Sequence, residues 1–207
     1  MTNEDLLGSD IDYSFVTNYI PEVMNAMYNE QAAASLTLTE IRDAFRVKQM
    51  QSKGWLMSKI KDIDKSKKVL VIGSWLGFTS LCLYKLGFTH ITEIDIDSRL
   101  EDFANHLNRF NKNFLHITDD INNIDISKYD LIINTSCEHI LDNSWFNKID
   151  KDATVVLHSN NLEGYDHINT CQTVKEMEIK YPMSLTYAGS LDFKDWKRFM
   201  LIGVKCK

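Results

Sequence analysis

From Lys67 onward the chain alternates between two hydrophobic periods. Residues 69–72 (Val-Leu-Val-Ile) are an unbroken apolar run ending on Gly73, the pattern of a strand buried on both faces of a parallel sheet. Residues 78–86 follow as a helix, with Gly87 placed to close it. The alternation continues with a strand at 90–96, a helix at 99–110 and a strand at 114–117. Strands at 130–134 and 153–159 come next, then a helix at 170–180. Strands and helices alternating at this spacing predict right-handed crossovers and an α/β, doubly wound, mostly parallel sheet. The tail breaks the rule. Runs at 185–191 and 198–204, joined by a turn near Lys194, predict an antiparallel hairpin that completes seven strands.

The first third carries a helical period instead. Phe15, Val16, Tyr19, Ile20, Val23, Met24 and Met27 recur at steps of three and four, forming one apolar stripe. Pro21 fits the first turn of a helix. Thr37 with Glu40 forms a capping box that opens a longer helix to about Ile60, with Ile41, Phe45, Trp55 and Leu56 on its buried side. No repeat, low-complexity tract or linker divides the chain. One compact domain is expected, with helices of residues 1–66 packing on or lidding a 67–207 core.

Composition adds exclusions. The 207 residues are 44% hydrophobic and 25% charged, so they can bury an ordinary core and are not a disordered chain. Four cysteines without CxxC spacing fit a reduced, cytoplasmic compartment. The acidic start, with Glu4, Asp5, Asp10 and Asp12, is unlike the basic opening of a secretory signal. No apolar stretch approaches the ~20 residues of a membrane span. Net charge is −6, unevenly spread: residues 1–41 hold seven carboxylates and no basic side chain, and residues 42–68 hold nine basic against three acidic. An acidic arm beside a basic strip in an acidic protein disfavours nucleic acid as partner.

Sheets of this kind bind ligands beyond the carboxyl ends of their strands, where strand order reverses. The first strand ends in Ile72-Gly73-Ser74-Trp75-Leu76-Gly77-Phe78. Gly73 permits a tight turn, and Gly77 lets the next helix approach and present its first amides. The second strand ends in Glu93-Ile94-Asp95-Ile96-Asp97; a carboxylate there, Asp95 first and Asp97 second, can accept from both hydroxyls of a ribose. After the third strand, Asp119 and Asp120 stand where an adenine amino group would lie. The plainer alternative makes the glycines ordinary turn residues and the aspartates helix caps.

With these motifs in this order, the chain resembles the class I S-adenosylmethionine-dependent methyltransferase superfamily over residues 67–205. The resemblance implies S-adenosylmethionine as cofactor, with Gly73 and Gly77 as the outer glycines of the glycine motif, Asp95 as the ribose acid and Asp119 on the adenine side. The neighbours Ser74, Trp75, Phe78 and Ile96 would complete that site. Trp75 replaces the family's middle glycine, and Val71 stands where most members have an acid. The turn also looks somewhat like that of nicotianamine synthase relatives, which transfer the aminocarboxypropyl group of the same cofactor.

The fourth strand runs into Asn134-Thr135-Ser136-Cys137-Glu138-His139, which in this fold ends over the sulfonium. His139 has a side chain suited to deprotonating a hydroxyl acceptor near neutrality, or equally to a structural bond. Glu138 can orient it, bind a cationic acceptor or face water, and Cys137 reads as a small buried residue. The loop after the fifth strand, from His158 to His167, overhangs the same place, with Asn160 and His167 as acceptor-reading candidates. A metal held by His139, His158 and His167 matches no compact ligand spacing, so none is expected. Gln49, Gln51 and Lys53 lie where a lid helix would reach the cofactor's carboxylate, and Trp196 reads as a rim residue. The function expected is methyl transfer to a small molecule, against aminocarboxypropyl transfer, a non-catalytic binding module or a dinucleotide dehydrogenase. Acceptor and oligomeric state are not legible.

Overall fold

A computed structural model describes residues 18–164 and 166–206; the expected contributions of Phe15 and Val16 lie outside the described residues. Seven strands form one sheet: β1 (Val69–Ile72), β2 (Ile91–Asp95), β3 (Phe114–Thr118), β4 (Leu131–Asn134), β5 (Thr154–Asn160), β6 (Ser184–Asp192) and β7 (Lys197–Val204). Their order is β3-β2-β1-β4-β5-β7-β6. The first five run parallel, and β7 pairs antiparallel with both β5 and β6. Strand order reverses at β1, with β2 on one side and β4 on the other. The tips of β1, β2, β4 and β5 therefore open one crevice.

β1 and β4 are buried throughout, as their unbroken apolar runs require. Glu93 is an acid in the sheet interior. It is fully buried in β2, where its carboxylate accepts from the Ser80 hydroxyl and meets His116 Nδ1 at 2.9 Å.

The helices are α1 (Ile20–Met27), α2 (Glu30–Ala33), α3 (Leu38–Ala44), α4 (Val47–Ile60), α5 (Phe78–Lys85), α6 (Glu101–Leu107), α7 (Ser144–Asn147) and α8 (Val174–Lys180). Two cores form, one on each face of the sheet. Val23, Ile41, Trp55, Leu56, Met57 and Ile60 from the first helices share one core with Leu81, Phe103 and the facing side chains of β1 and β4. Trp145, Tyr181, Phe199 and Met177 fill the other. At about 1.5–3 kcal/mol for each large apolar side chain buried, the six named residues of the first helices alone bind that layer firmly to the sheet.

Three element boundaries differ from the sequence expectation. The capping box at Thr37 and Glu40 is present, with Glu40 N–H donating to Thr37 Oγ1 and Thr37 N–H to Glu40 Oε2. However, the helix it opens stops at Ala44, and α4 starts anew at Val47. Phe45 leaves the helical path and sets its ring edge-on to Phe78 at 5.1 Å. The helix expected at 99–110 is a 3₁₀ turn over Ser98–Leu100 followed by the short α6. The helix expected from 170 begins only at Val174, capped by Thr173 Oγ1 accepting from Glu176 N–H. Cys82, Cys137 and Cys171 are buried free thiols and Cys206 is exposed. Among the described residues no helix is long and apolar enough to cross a membrane.

Candidate active site

The turn after β1 holds three left-handed residues: Gly73 at φ +62°, Trp75 at +54° and Gly77 at +74°. A side chain at that φ costs roughly 1–2 kcal/mol, so Trp75 sits in a conformation glycine would adopt freely. Its backbone explains why it stays there: Trp75 N–H donates to Asp95 Oδ2 at 2.9 Å. Asp95 Oδ1 accepts from Asp97 N–H at 3.2 Å. One carboxylate thus ties the glycine turn to the tip of β2. Burial pushes the Asp95 carboxyl above the ordinary range, and the two backbone N–H groups pull it back. A carboxylate offers about four acceptor positions, so two remain for a ligand.

The other acids divide as follows. Asp97 caps the Ser98–Leu100 turn and pairs with Arg99 at 2.6 Å; Arg99 also reaches Glu40 of α3 at 3.0 Å. That chain of charges fastens α3 to the β2 tip. Asp120 caps the turn over Ile121–Asn123. Asp119 is exposed and accepts from Asp120 N–H and Asn123 Nδ2, while its own N–H donates to the Asp95 carbonyl. Ile96, 74% exposed, offers an apolar face beside Asp95. Phe78 is buried against Phe45, so any ligand meets its backbone rather than its ring.

On the other side of β1, a narrow cavity of about 80 Å³ runs from the glycine turn to the tips of β4 and β5. Gly73, Ser74, Trp75, Thr135, Glu138 and His139 meet there, under Gln49, Ser52 and Lys53 of α4. Ser136 holds the two tips together, its Oγ donating to the Gly73 carbonyl at 3.0 Å. Asn134 is fully buried and accepts from Ser136 N–H, which shapes the turn.

Glu138 is the electrostatic centre. Its carboxylate is 2% exposed, and Oε1 receives both Arg198 Nη1 at 2.9 Å and the Asn160 side-chain amide. Asn160 and Arg198 are register partners across β5 and β7. Because β7 runs antiparallel, its N-terminal end brings Arg198 to the tips. Sequence reasoning passed over Arg198; the antiparallel pairing it did foresee was the available signal. Asn160 therefore positions Glu138 and the loop after β5, its Oδ1 accepting from Leu162 N–H, rather than facing the cavity directly.

His158 is also buried, stacked on Trp55 of α4 at 5.6 Å with 25° between planes. Burial first, then the charges of Arg198 and Lys53, hold it well below its ordinary pKa and keep it neutral. Lys53 is pushed down to about 8 by burial, with Arg198 acting in the same direction. His139 is partly exposed, its Nδ1 3.3 Å from Asp166 Oδ2, and its ring meets that of His167 edge-on at 4.7 Å. Ser74 Oγ, Glu138 Oε2, His158 Nε2 and Arg198 Nε are buried without a hydrogen-bond partner among the described residues. Buried polar groups ordinarily find a partner in protein or ordered water. All four belong to residues that line the cavity, where a polar ligand could satisfy them.

No family model matches the chain, and no curated protein matches it. Solved structures do. Magnesium protoporphyrin IX methyltransferase of Synechocystis PCC 6803, solved with SAH bound, aligns at TM-score 0.62 and 14% identity over 95% of this chain and 98% of that one. A SAM-dependent methyltransferase from Aquifex aeolicus aligns at 0.58 and 15%, covering 73% and 89%. The N-methyltransferase NodS of Bradyrhizobium japonicum WM9 aligns at 0.61 and 11%, covering 79% and 99%. The fold is that of the class I methyltransferases. At these identities the likeness establishes architecture, and chemistry has to be argued from the site.

Proposed function

We propose that the protein is an S-adenosylmethionine-dependent methyltransferase acting on a small-molecule acceptor. The observation that carries this reading is the glycine turn bound to Asp95 on one side and opening into the Glu138–Arg198 cavity on the other. The residues fit the cofactor's two ends. Asp95 has acceptor positions left for ribose hydroxyls, Ile96 offers an apolar face for adenine, and Asp119 stands within the same row of tips. Lys53 and Arg198 can take the carboxylate of the methionine end.

When bound, the cofactor supplies a methyl carbon activated by a positively charged sulfur. The chain's own task is then to hold the acceptor in line and exclude water. α4, anchored by the Trp55–His158 stack and by Lys48 pairing with Asp195 at 3.5 Å, roofs the cavity. His139 lines the cavity with the ring of His167 against its own, and there an imidazole can take the proton a hydroxyl must lose.

Calorimetry with S-adenosylmethionine and S-adenosylhomocysteine should give saturable binding of both. Incubation with acceptor panels should yield S-adenosylhomocysteine. Methylthioadenosine as product would overturn methyl transfer in favour of aminocarboxypropyl transfer, and NADH binding in place of either ligand would overturn the cofactor.

A further inference from the structure

We infer that Glu138, His139 and His167 form a site for a first-row divalent cation of the zinc type at the acceptor end of the cavity. One ligand atom from each of the three residues lies within 4.8 Å of the others. Two segments are stapled to produce this meeting. Ile168 N–H and Asn169 N–H both donate to the Glu138 carbonyl at 2.9 Å, and the Asn169 side chain donates to the Ile140 carbonyl at 2.6 Å. The loop after β5 is thereby fixed to the turn after β4, and His167 is delivered to His139.

The hydrogen bonds also set the protons. His167 Nδ1 lies 2.8 Å from the Leu162 carbonyl, which can only accept, so Nδ1 carries the hydrogen and the basic lone pair falls on Nε2. His139 Nδ1 faces Asp166 Oδ2 at 3.3 Å with the same consequence. An imidazole whose Nδ1–H is held by a carbonyl or carboxylate is the form that metal-ligating histidines take. Glu138 completes the set. Arg198 and Asn160 hold Oε1, leaving Oε2 buried and without a partner among the described residues. Two imidazoles and one carboxylate with a fourth position open are a catalytic zinc donor set, and imidazole favours zinc-like ions over magnesium or calcium. Zinc bonds of about 2.0–2.1 Å place tetrahedral ligands roughly 3.3 Å apart. Ligand atoms within 4.8 Å of one another would therefore have to draw in by at most about 1.5 Å.

This set is not the one the histidines alone suggest. His158 is buried against Trp55, away from the cluster, and Glu138 takes its place. Given the reading of the cavity above, the open position would take an acceptor hydroxyl oxygen and acidify it. The proton leaves to solvent as the oxygen bonds the methyl carbon, and the electron pair of the broken carbon–sulfur bond stays on sulfur. His139 then acts on the acceptor's proton as a ligand rather than as a free base.

The test needs neither cofactor nor acceptor. Metal-stripped protein is titrated with Zn²⁺ against a chromophoric chelator, and with Co²⁺ by visible absorption. One equivalent per chain is expected, with ligand-field bands. Affinity should fall more than tenfold in His139→Ala, His139→Gln and His167→Ala, each checked by circular dichroism, and be retained in His90→Ala at the opposite end of the sheet. No stoichiometric binding, or binding unchanged in both His139→Gln and His167→Ala, overturns the site. Zinc binding by a protein that ignores S-adenosylmethionine would keep this inference and sink the proposed function, and the reverse pattern would do the opposite.

Discussion

Gly73→Ala tests how the glycine turn and the tip of β4 are spaced. A Cβ built on Gly73 lies 2.7 Å from Ser136 Cβ and 2.9 Å from its Oγ, at a φ of +62°. Two costs follow. The left-handed backbone contributes about 1–2 kcal/mol, and the forced separation of the tips contributes about 1–3 kcal/mol as overpacking. Their sum, about 2–5 kcal/mol, is a large share of a typical stability of 5–15 kcal/mol. For a chain of this length that is a fall in Tm of about 4–20 °C. The two costs can be separated. Ser136→Gly removes the clashing atoms while losing the Oγ bond to the Gly73 carbonyl, worth about 1 kcal/mol. In a double-mutant cycle by urea denaturation, the pair should show a favourable coupling of about 1–3 kcal/mol, the overpacking share, with the φ share persisting. Strict additivity, or a Gly73→Ala protein as stable as the parent, would refute the argument that contact between these tips sets the turn.

Three further outcomes are expected. Asp95→Ala should weaken S-adenosylmethionine binding by about 1–3 kcal/mol, the cost of ribose hydroxyls left without a charged acceptor; an unchanged Kd in calorimetry would remove Asp95 from the site. His139→Ala should lower turnover far more than cofactor affinity, and equal losses in both would make the histidine structural. Lys53, with its pKa pushed down to about 8, is charged below that pH and neutral above it, so affinity for the cofactor's carboxylate should fall as pH rises through 8 and the dependence should vanish in Lys53→Met. The same depression means that its burial penalises the fold fully below pH 8. That penalty fades as pH climbs toward the unfolded value near 10.4; a Lys53→Met stability difference constant from pH 7 to 10 would contradict the assignment.

What the sequence revealed, and what it hid, follows the range of the interactions involved. Parallel strands buried on both faces announce themselves as apolar runs, and the capping box at Thr37 and Glu40 is written within four residues. The break between α3 and α4 is different. No glycine or proline marks it, because its cause is Phe45 turning to meet Phe78, a contact across 33 positions of chain. The aspartates show the same division at the site. Asp97 and Asp120 accept from N–H groups two residues ahead, a local pattern any Asp-x-x turn can form, so both the capping and the ligand readings were open from sequence. What singles out Asp95 is its bond to Trp75, twenty residues away, which exists only once β1 and β2 lie side by side. Arg198 is hidden most deeply. A basic residue in a tail hairpin ordinarily reads as surface, and it becomes the partner of Glu138 only because β7 reverses direction and presents its first residues where the parallel strands present their last. The antiparallel strand that distinguishes this architecture from an all-parallel sheet is therefore also what delivers a buried cation to the cavity. A purely parallel seventh strand would leave the Glu138 carboxylate buried with the Asn160 amide but no cation, a costly state that the fold would have to relieve by losing the carboxylate.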